Sequence, residues 1–141
     1  MKPVLILLFV SLAFANQATT VLTNNWSVSS VAVNLWNNST LIIYLKSCEM
    51  YEGVFDNNPN ITVTPTLTNS FLSESDGDGD TTGECSWGIG MTGAILFIGW
   101  RDPFIGTNTF SMTVTPDTNF TVSYDGGTGY HTTVNVAFSP K

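Results

Sequence analysis

Near the middle of the chain, apolar and polar residues exchange places at every second position. Phe110, Met112 and Val114 alternate with Ser111, Thr113 and Thr115, and Phe120, Val122 and Tyr124 alternate with Thr121 and Ser123. Successive side chains of a strand point to opposite faces, so this period belongs to strands with one dry face and one wet face. A helix needs apolar residues three and four apart, and no window beyond the first fifteen residues supplies that over a useful length. Just upstream, residues 94–100 are apolar on both strand faces, with Ile95 and Phe97 opposite Leu96, Ile98 and Trp100. That pattern predicts a central strand buried on both sides. A loop punctuated by Pro103 and Gly106 follows it, and Pro116 to Asn119 carries turn chemistry. The stretch therefore reads as a central strand, a large loop and a hairpin. Loops on a rigid sheet present binding groups, so residues 101–108 are the first candidate for function.

The remaining chain repeats the same grammar. Val31, Val33 and Leu35 alternate with Ala32, Asn34 and Trp36; Leu41, Ile43 and Leu45 alternate with Ile42, Tyr44 and Lys46. The turn signal Asn37-Asn38-Ser39 between them predicts a hairpin. Residues 48–60 read as a loop. Ile61, Val63, Pro65 and Leu67 mark a strand, placed at an edge because proline donates no ladder bond. Residues 73–84 hold Gly, Asp and Thr in a mobile or ligand-binding loop. Trp87, Ile89 and Met91 mark another strand, and Thr132, Val134, Val136 and Phe138 a last one opposite His131, Thr133 and Asn135. About eight short strands with regular turns predict an antiparallel β-sandwich.

Residues 1–15 read as a signal peptide: Lys2, an apolar run over residues 4–12, and the small-x-small pattern Ala13-Phe14-Ala15. A membrane-spanning helix needs about 20 apolar residues, more than this run offers. Residues 16–141 then form one domain of a secreted, extracellular protein. Its net charge of −7 on the full chain leaves Lys46, Arg101 and Lys141 as the basic residues beyond Lys2. Phosphate tracking needs clustered cations, so nucleic acid and anionic lipid are poor partners, while neutral or zwitterionic lipid and sugar remain open. Cys48 and Cys85 are the two cysteines, and in an extracellular chain they read as a disulfide.

Several motifs carry chemistry. Asn25, Asn37, Asn38, Asn60 and Asn119 each begin an N-x-Ser/Thr glycosylation sequon. Asp76, Asp78, Asp80 and Glu84 alternate like a calcium loop, although Thr81 and Trp87 break the EF-hand pattern, and the alternative is a solvated acidic loop. His131 is the single histidine, Glu49 and Glu52 have no fixed separation, and no nucleophile elbow or phosphate loop occurs. Catalysis requires a positioned constellation, so the chain reads as non-enzymatic, without a cofactor. Four tryptophans are many for a small acidic domain. Trp87 and Trp100 suit a core, whereas Trp36 sits on the polar face of its strand and Phe104 in a loop, where rings suit a membrane interface or a sugar face.

On these residues the chain resembles the aegerolysin family. The similarity runs over most of residues 31–136: the Asn37 turn between apolar segments, Gly53, Cys85 followed by Thr92-Gly93, then Trp100-Arg101-Asp102-Pro103-Phe104 with Gly106-Thr107-Asn108-Thr109, and Tyr124 before a Gly-rich turn. Where many members carry Trp-Gly, this chain has Tyr51-Glu52-Gly53. The resemblance implies an actinoporin-like β-sandwich that binds sphingolipid-rich or ceramide-phosphoethanolamine membranes, in several members with a larger perforin-like partner in a haemolytic pore. It implies Trp36, Trp100, Asp102, Phe104 and Tyr124 as the lipid-binding residues. The alternative reading is a secreted adhesion or carbohydrate-binding glycoprotein, with calcium at the acidic loop.

Overall fold

The computed structural model describes residues 29–77, 79–116 and 119–141. The expected leader, Asn25, Trp26 and Asp78 lie outside them. Ten strands occur among the described residues: β1 (Ser30–Asn37), β2 (Ile43–Glu52), β3 (Val54–Asn57), β4 (Thr62–Val63), β5 (Thr68–Glu74), β6 (Thr81–Ile89), β7 (Ile95–Asp102), β8 (Thr109–Thr115), β9 (Phe120–Gly126) and β10 (His131–Pro140). They form two five-stranded sheets, ordered β3-β5-β1-β10-β9 and β4-β2-β6-β7-β8. All neighbours run antiparallel except β1 and β10, which pair in parallel from Ser30↔His131 to Asn37↔Phe138. The sandwich expectation holds, with one parallel pair and two short strands that sequence reasoning did not separate.

The core lies between the sheets and follows the sequence alternation. Val31, Val33, Leu35, Phe71, Val134, Val136 and Phe138 face Ile43, Trp87, Ile89, Leu96, Ile98 and Trp100 across it, and all are buried. Phe71 sits at the centre of an aromatic group, 6.1 Å from Trp87 and 5.6 Å from Trp100 by ring centroids, with Phe55 touching both Phe71 and Trp100. Aromatic pairs at these separations add packing energy beyond area burial. The Cys48–Cys85 disulfide joins β2 to β6 at directly opposite positions, and both sulfurs pack into the core. In the chain-entropy account, closing this 37-residue separation stabilises the fold by roughly 3–4 kcal/mol.

Three expectations change. The strands around Asn37-Asn38-Ser39 do not form a hairpin: β1 belongs to one sheet and β2 to the other. The same holds for β8 and β9 around residues 116–119. In both places the two consecutive strands lie on opposite sides of the core instead of side by side in one sheet. Strand β7 is not buried on both sides. Leu96, Ile98 and Trp100 face the core, whereas Ile95 is exposed and Phe97 half-buried on the outer surface. Of the stretches expected as loops, residues 48–52, 54–57, 73–74 and 81–84 are strand. Gly83 belongs to β6, and a Cβ there would come within 2.7 Å of the Trp100 ring. The glycine makes room for a tryptophan. Of the strand expected over residues 61–67 only Thr62–Val63 forms, as β4 at the edge of its sheet, and Pro65 lies in the turn after it.

Candidate functional site

Strand directions give the sandwich two distinct ends. At one end lie the connections β5–β6, β7–β8 and β9–β10. The β7–β8 and β9–β10 loops enclose a cavity of about 300 Å³, lined by Asp102, Pro103, Thr107, Asn108, Gly127 and Tyr130 among others. Asn108 ties the two loops together: its Nδ2 donates to the carbonyls of Gly129 at 2.9 Å and Gly127 at 3.2 Å. Gly127 has φ +92°, and a Cβ there would meet the Phe110 ring at 2.5 Å. Glycine is therefore required both by the left-handed backbone and by the close approach. The loop base is anchored by Asp80, whose Oδ1 accepts the Phe104 N–H at 3.0 Å and whose Oδ2 accepts from Arg101 at 3.3 Å.

Asp102 is the unusual group. It ends β7, is 1% exposed, lines the cavity, and neither carboxylate oxygen has a hydrogen-bond partner among the described residues. Buried polar groups are almost always paired, so an unpaired carboxylate facing a cavity marks a place able to accept from a ligand or water. Burial pushes its pKa up to about 6, and Asp80 adds to the rise while His131 opposes it. His131 itself is fixed through Nδ1 to the Ser30 hydroxyl at 3.0 Å. The ring of Tyr130, which lines the cavity, packs on that of Phe104 with centroids 6.4 Å apart. Phe104 is half-buried, Tyr130 exposed, and Ile105 at the loop tip is 84% exposed.

The five residues singled out for lipid do not share one surface. Asp102 and Phe104 meet at this loop end. Trp100 does not belong with them: it is 3% exposed and faces the core, because it stays in register with Leu96 and Ile98. Trp36 lies on the outer face of the β1 sheet, 43% exposed. Tyr124 points the other way on β9, toward the seam between the sheets, where its ring meets Phe110 of β8 at 5.9 Å. Ile105, Asn108 and Tyr130 were not singled out. The signal for Tyr130 was an aromatic beside a Gly-rich turn, and for Asn108 an amide at the end of a loop.

The other motifs resolve similarly. Asn37 is fully buried, and its Nδ2 donates to the carbonyls of Leu41 and Val63 at 2.8 and 2.9 Å. A glycan on that nitrogen is incompatible with this fold, so the Asn37 sequon is structural. Asn38, Asn60 and Asn119 are exposed. Asp76, Asp80 and Glu84 do not converge: Asp80 is engaged at the loop base, Glu84 lies within β6, and no group of three metal-ligating side chains occurs among the described residues. Strand β6 takes up residues 81–84 of the presumed loop, and Asp78 lies outside the described residues.

The fold defines a class: an all-β sandwich without helices among the described residues, shared with proteins of known structure. The lipid-binding protein Nakanori superposes with a TM-score of 0.63 at 19% identity, over 92% of this chain and 78% of that one. IP-1A from Alcaligenes faecalis superposes with a TM-score of 0.64 at 17% identity, over 80% of this chain and 91% of that one. At such identities the likeness shows the fold. No family model matches the sequence, and no curated protein matches it.

Proposed function

We propose that this is a secreted, non-enzymatic protein that binds membrane lipid through the loop end of its sandwich. On the aegerolysin resemblance, it would serve in a pore-forming system with a larger perforin-like partner. The observation that carries the reading is the unpaired Asp102 carboxylate on a cavity lined by Tyr130, whose ring packs on Phe104, with Ile105 exposed on the same β7–β8 loop. Rings and an aliphatic tip suit the headgroup level of a bilayer, where one part of the side chain is dry and another wet. The carboxylate would take the positive end of a zwitterionic headgroup such as that of a sphingolipid. Acidic balance favours such a lipid over an anionic one. The sandwich shared with Nakanori, a lipid-binding protein, supports the same reading.

Trp36 and Tyr124 stand apart from this surface and Trp100 is internal, so the membrane contact rests on Phe104, Ile105 and Tyr130 with Asp102 behind them. Sedimentation with sphingomyelin/cholesterol vesicles and with ceramide-phosphoethanolamine vesicles tests it. The expected result is co-sedimentation with at least one of them; a protein left in the supernatant with both would end the reading.

A further inference from the structure

The outer face of the β1 sheet carries a feature unrelated to the loop end. At one level of the sheet, four side chains on four neighbouring strands join in a single hydrogen-bonded row. The Ser70 hydroxyl donates to Asn34 Oδ1 at 2.7 Å, Asn34 Nδ2 to Asn135 Oδ1 at 3.0 Å, and Asn135 Nδ2 to Asp125 Oδ1 at 2.8 Å. The four positions are directly opposite one another in the β5, β1, β10 and β9 ladders. Every donor points the same way, toward the Asp125 carboxylate, so each bond polarises the next. The row is exposed, and the core does not need it.

Each amide in the row spends one N–H and one oxygen lone pair on its neighbours. Each keeps a second N–H and a second lone pair for solvent, and Asp125 Oδ2 has no partner among the described residues. One level further along β1, Trp36 opposes Ala137 of β10, which in turn opposes Ser123 of β9. These two small side chains leave a groove of about 390 Å³, bordered by Trp36 on one side and running past the amide row. The Trp36 ring is 43% exposed, and its Nε1–H has no protein acceptor among the described residues.

We propose that this groove binds a neutral glycan. A sugar ring offers vicinal hydroxyls, each both donor and acceptor, which match amides that hold one free donor and one free acceptor in fixed positions. It also offers an apolar C–H face, which matches the flat face of an indole. Pre-fixed polar groups beside an aromatic wall are the usual make-up of a small-ligand site. Other occupants fit worse. Asp125 and the net charge of −7 oppose an acidic sugar or phosphate. The amide row opposes an acyl chain. A peptide strand would need an unpaired backbone edge, but β1 and β10 are hydrogen-bonded on both sides.

The glycan could be free, protein-borne or the head of a neutral glycolipid, and the test separates these sources. Free neutral oligosaccharides would be presented on an array and the strongest binders titrated by calorimetry; vesicles containing a neutral glycosylceramide would be run in parallel. Trp36→Ala and Asn135→Ala alter exposed side chains, and circular dichroism checks that both variants fold. The expected result is binding to a neutral glycan in at least one format, weakened tenfold or more by each variant and unchanged by Met91→Asp on the exposed β6–β7 turn. No binding in either format overturns the proposal, as does binding that survives both groove variants. Loss of free-oligosaccharide binding with Ile105→Asp, with both groove variants unaffected, would assign the sugar to the loop end and also overturn it.

Discussion

Asn37 and Asp102 are buried polar side chains at opposite ends of the same sandwich, and they are treated in opposite ways. Asn37 ends β1. Its side chain donates twice, to Leu41 and Val63, and accepts twice from Ser39, while its backbone N–H and carbonyl bind Leu67 and Thr66. It ties together the chain segments that cross from one sheet to the other. Asp102 ends β7 just as deeply buried, yet neither of its oxygens has a partner among the described residues. A satisfied buried amide is inexpensive, whereas an unsatisfied carboxylate is a standing cost. The first belongs to an end that holds the fold together, and the second to an end that leaves chemistry available.

The largest effect should come from the satisfied end. Asn37→Ala removes four side-chain hydrogen bonds and takes a donor from the buried Val63 carbonyl, while the Leu41 carbonyl keeps the Ser39 hydroxyl, so stability should fall by about 3 kcal/mol. Chemical denaturation would measure it, and a loss below about 1 kcal/mol would mean that Asn37 is not the tie described above.

Asp102→Asn should act in the opposite direction. The folded-state pKa of about 6 lies above the ordinary 3.8. Its favourable contribution is therefore complete below about pH 4 and is lost as pH rises through about 6. At pH 7 the asparagine variant should be the more stable protein, by roughly 1–2 kcal/mol once solvent in the adjoining cavity is allowed for. Melting curves of the two proteins should converge as pH falls from 7 to 4. The same variant should bind zwitterionic vesicles several-fold more weakly, and wild-type binding should weaken as pH drops through about 6. A variant that is less stable at pH 7 would place Asp102 with Asn37 as a structural group.

Asn108→Ala should have a smaller effect. It removes two bonds between exposed loops, so stability should fall by about 1 kcal/mol or less, while vesicle binding falls because the cavity loses its shape. Unchanged binding would show that the loop tie does not matter for the ligand.

Much of the architecture was legible from period-two alternation. Val31, Val33 and Leu35, and Thr132, Val134, Val136 and Phe138, point inward as their spacing requires. Pairing was not legible, because Asn-rich turns reverse a chain equally well within a sheet or across a core. Thr81 and Gly83 looked like loop because neither is apolar. In the fold Thr81 is buried against the Ser73 hydroxyl at 3.0 Å, and Gly83 accommodates Trp100. At the candidate site, the motif around Trp100 led to the loop that borders the cavity but drew Trp100 outward, against the inward register that Leu96 and Ile98 set. Tyr130 was missed because its partner Phe104 is distant in sequence. The amide row of Asn34 and Asn135 was missed because nothing in either strand reveals that the two run parallel, side by side.

The contrast between the ends can be tested with one pair of substitutions. Ile105 is the exposed apolar tip of the loop end, and Met91, fully exposed, is its counterpart on the β6–β7 turn at the other end. Each would be changed to Asp, and vesicle sedimentation measured side by side. Neither change should move stability by more than about 0.5 kcal/mol, since both sites are on the surface. Ile105→Asp should reduce partitioning at least tenfold and Met91→Asp should leave it unchanged. The reverse pattern would place the membrane at the Asn37 end and contradict the account.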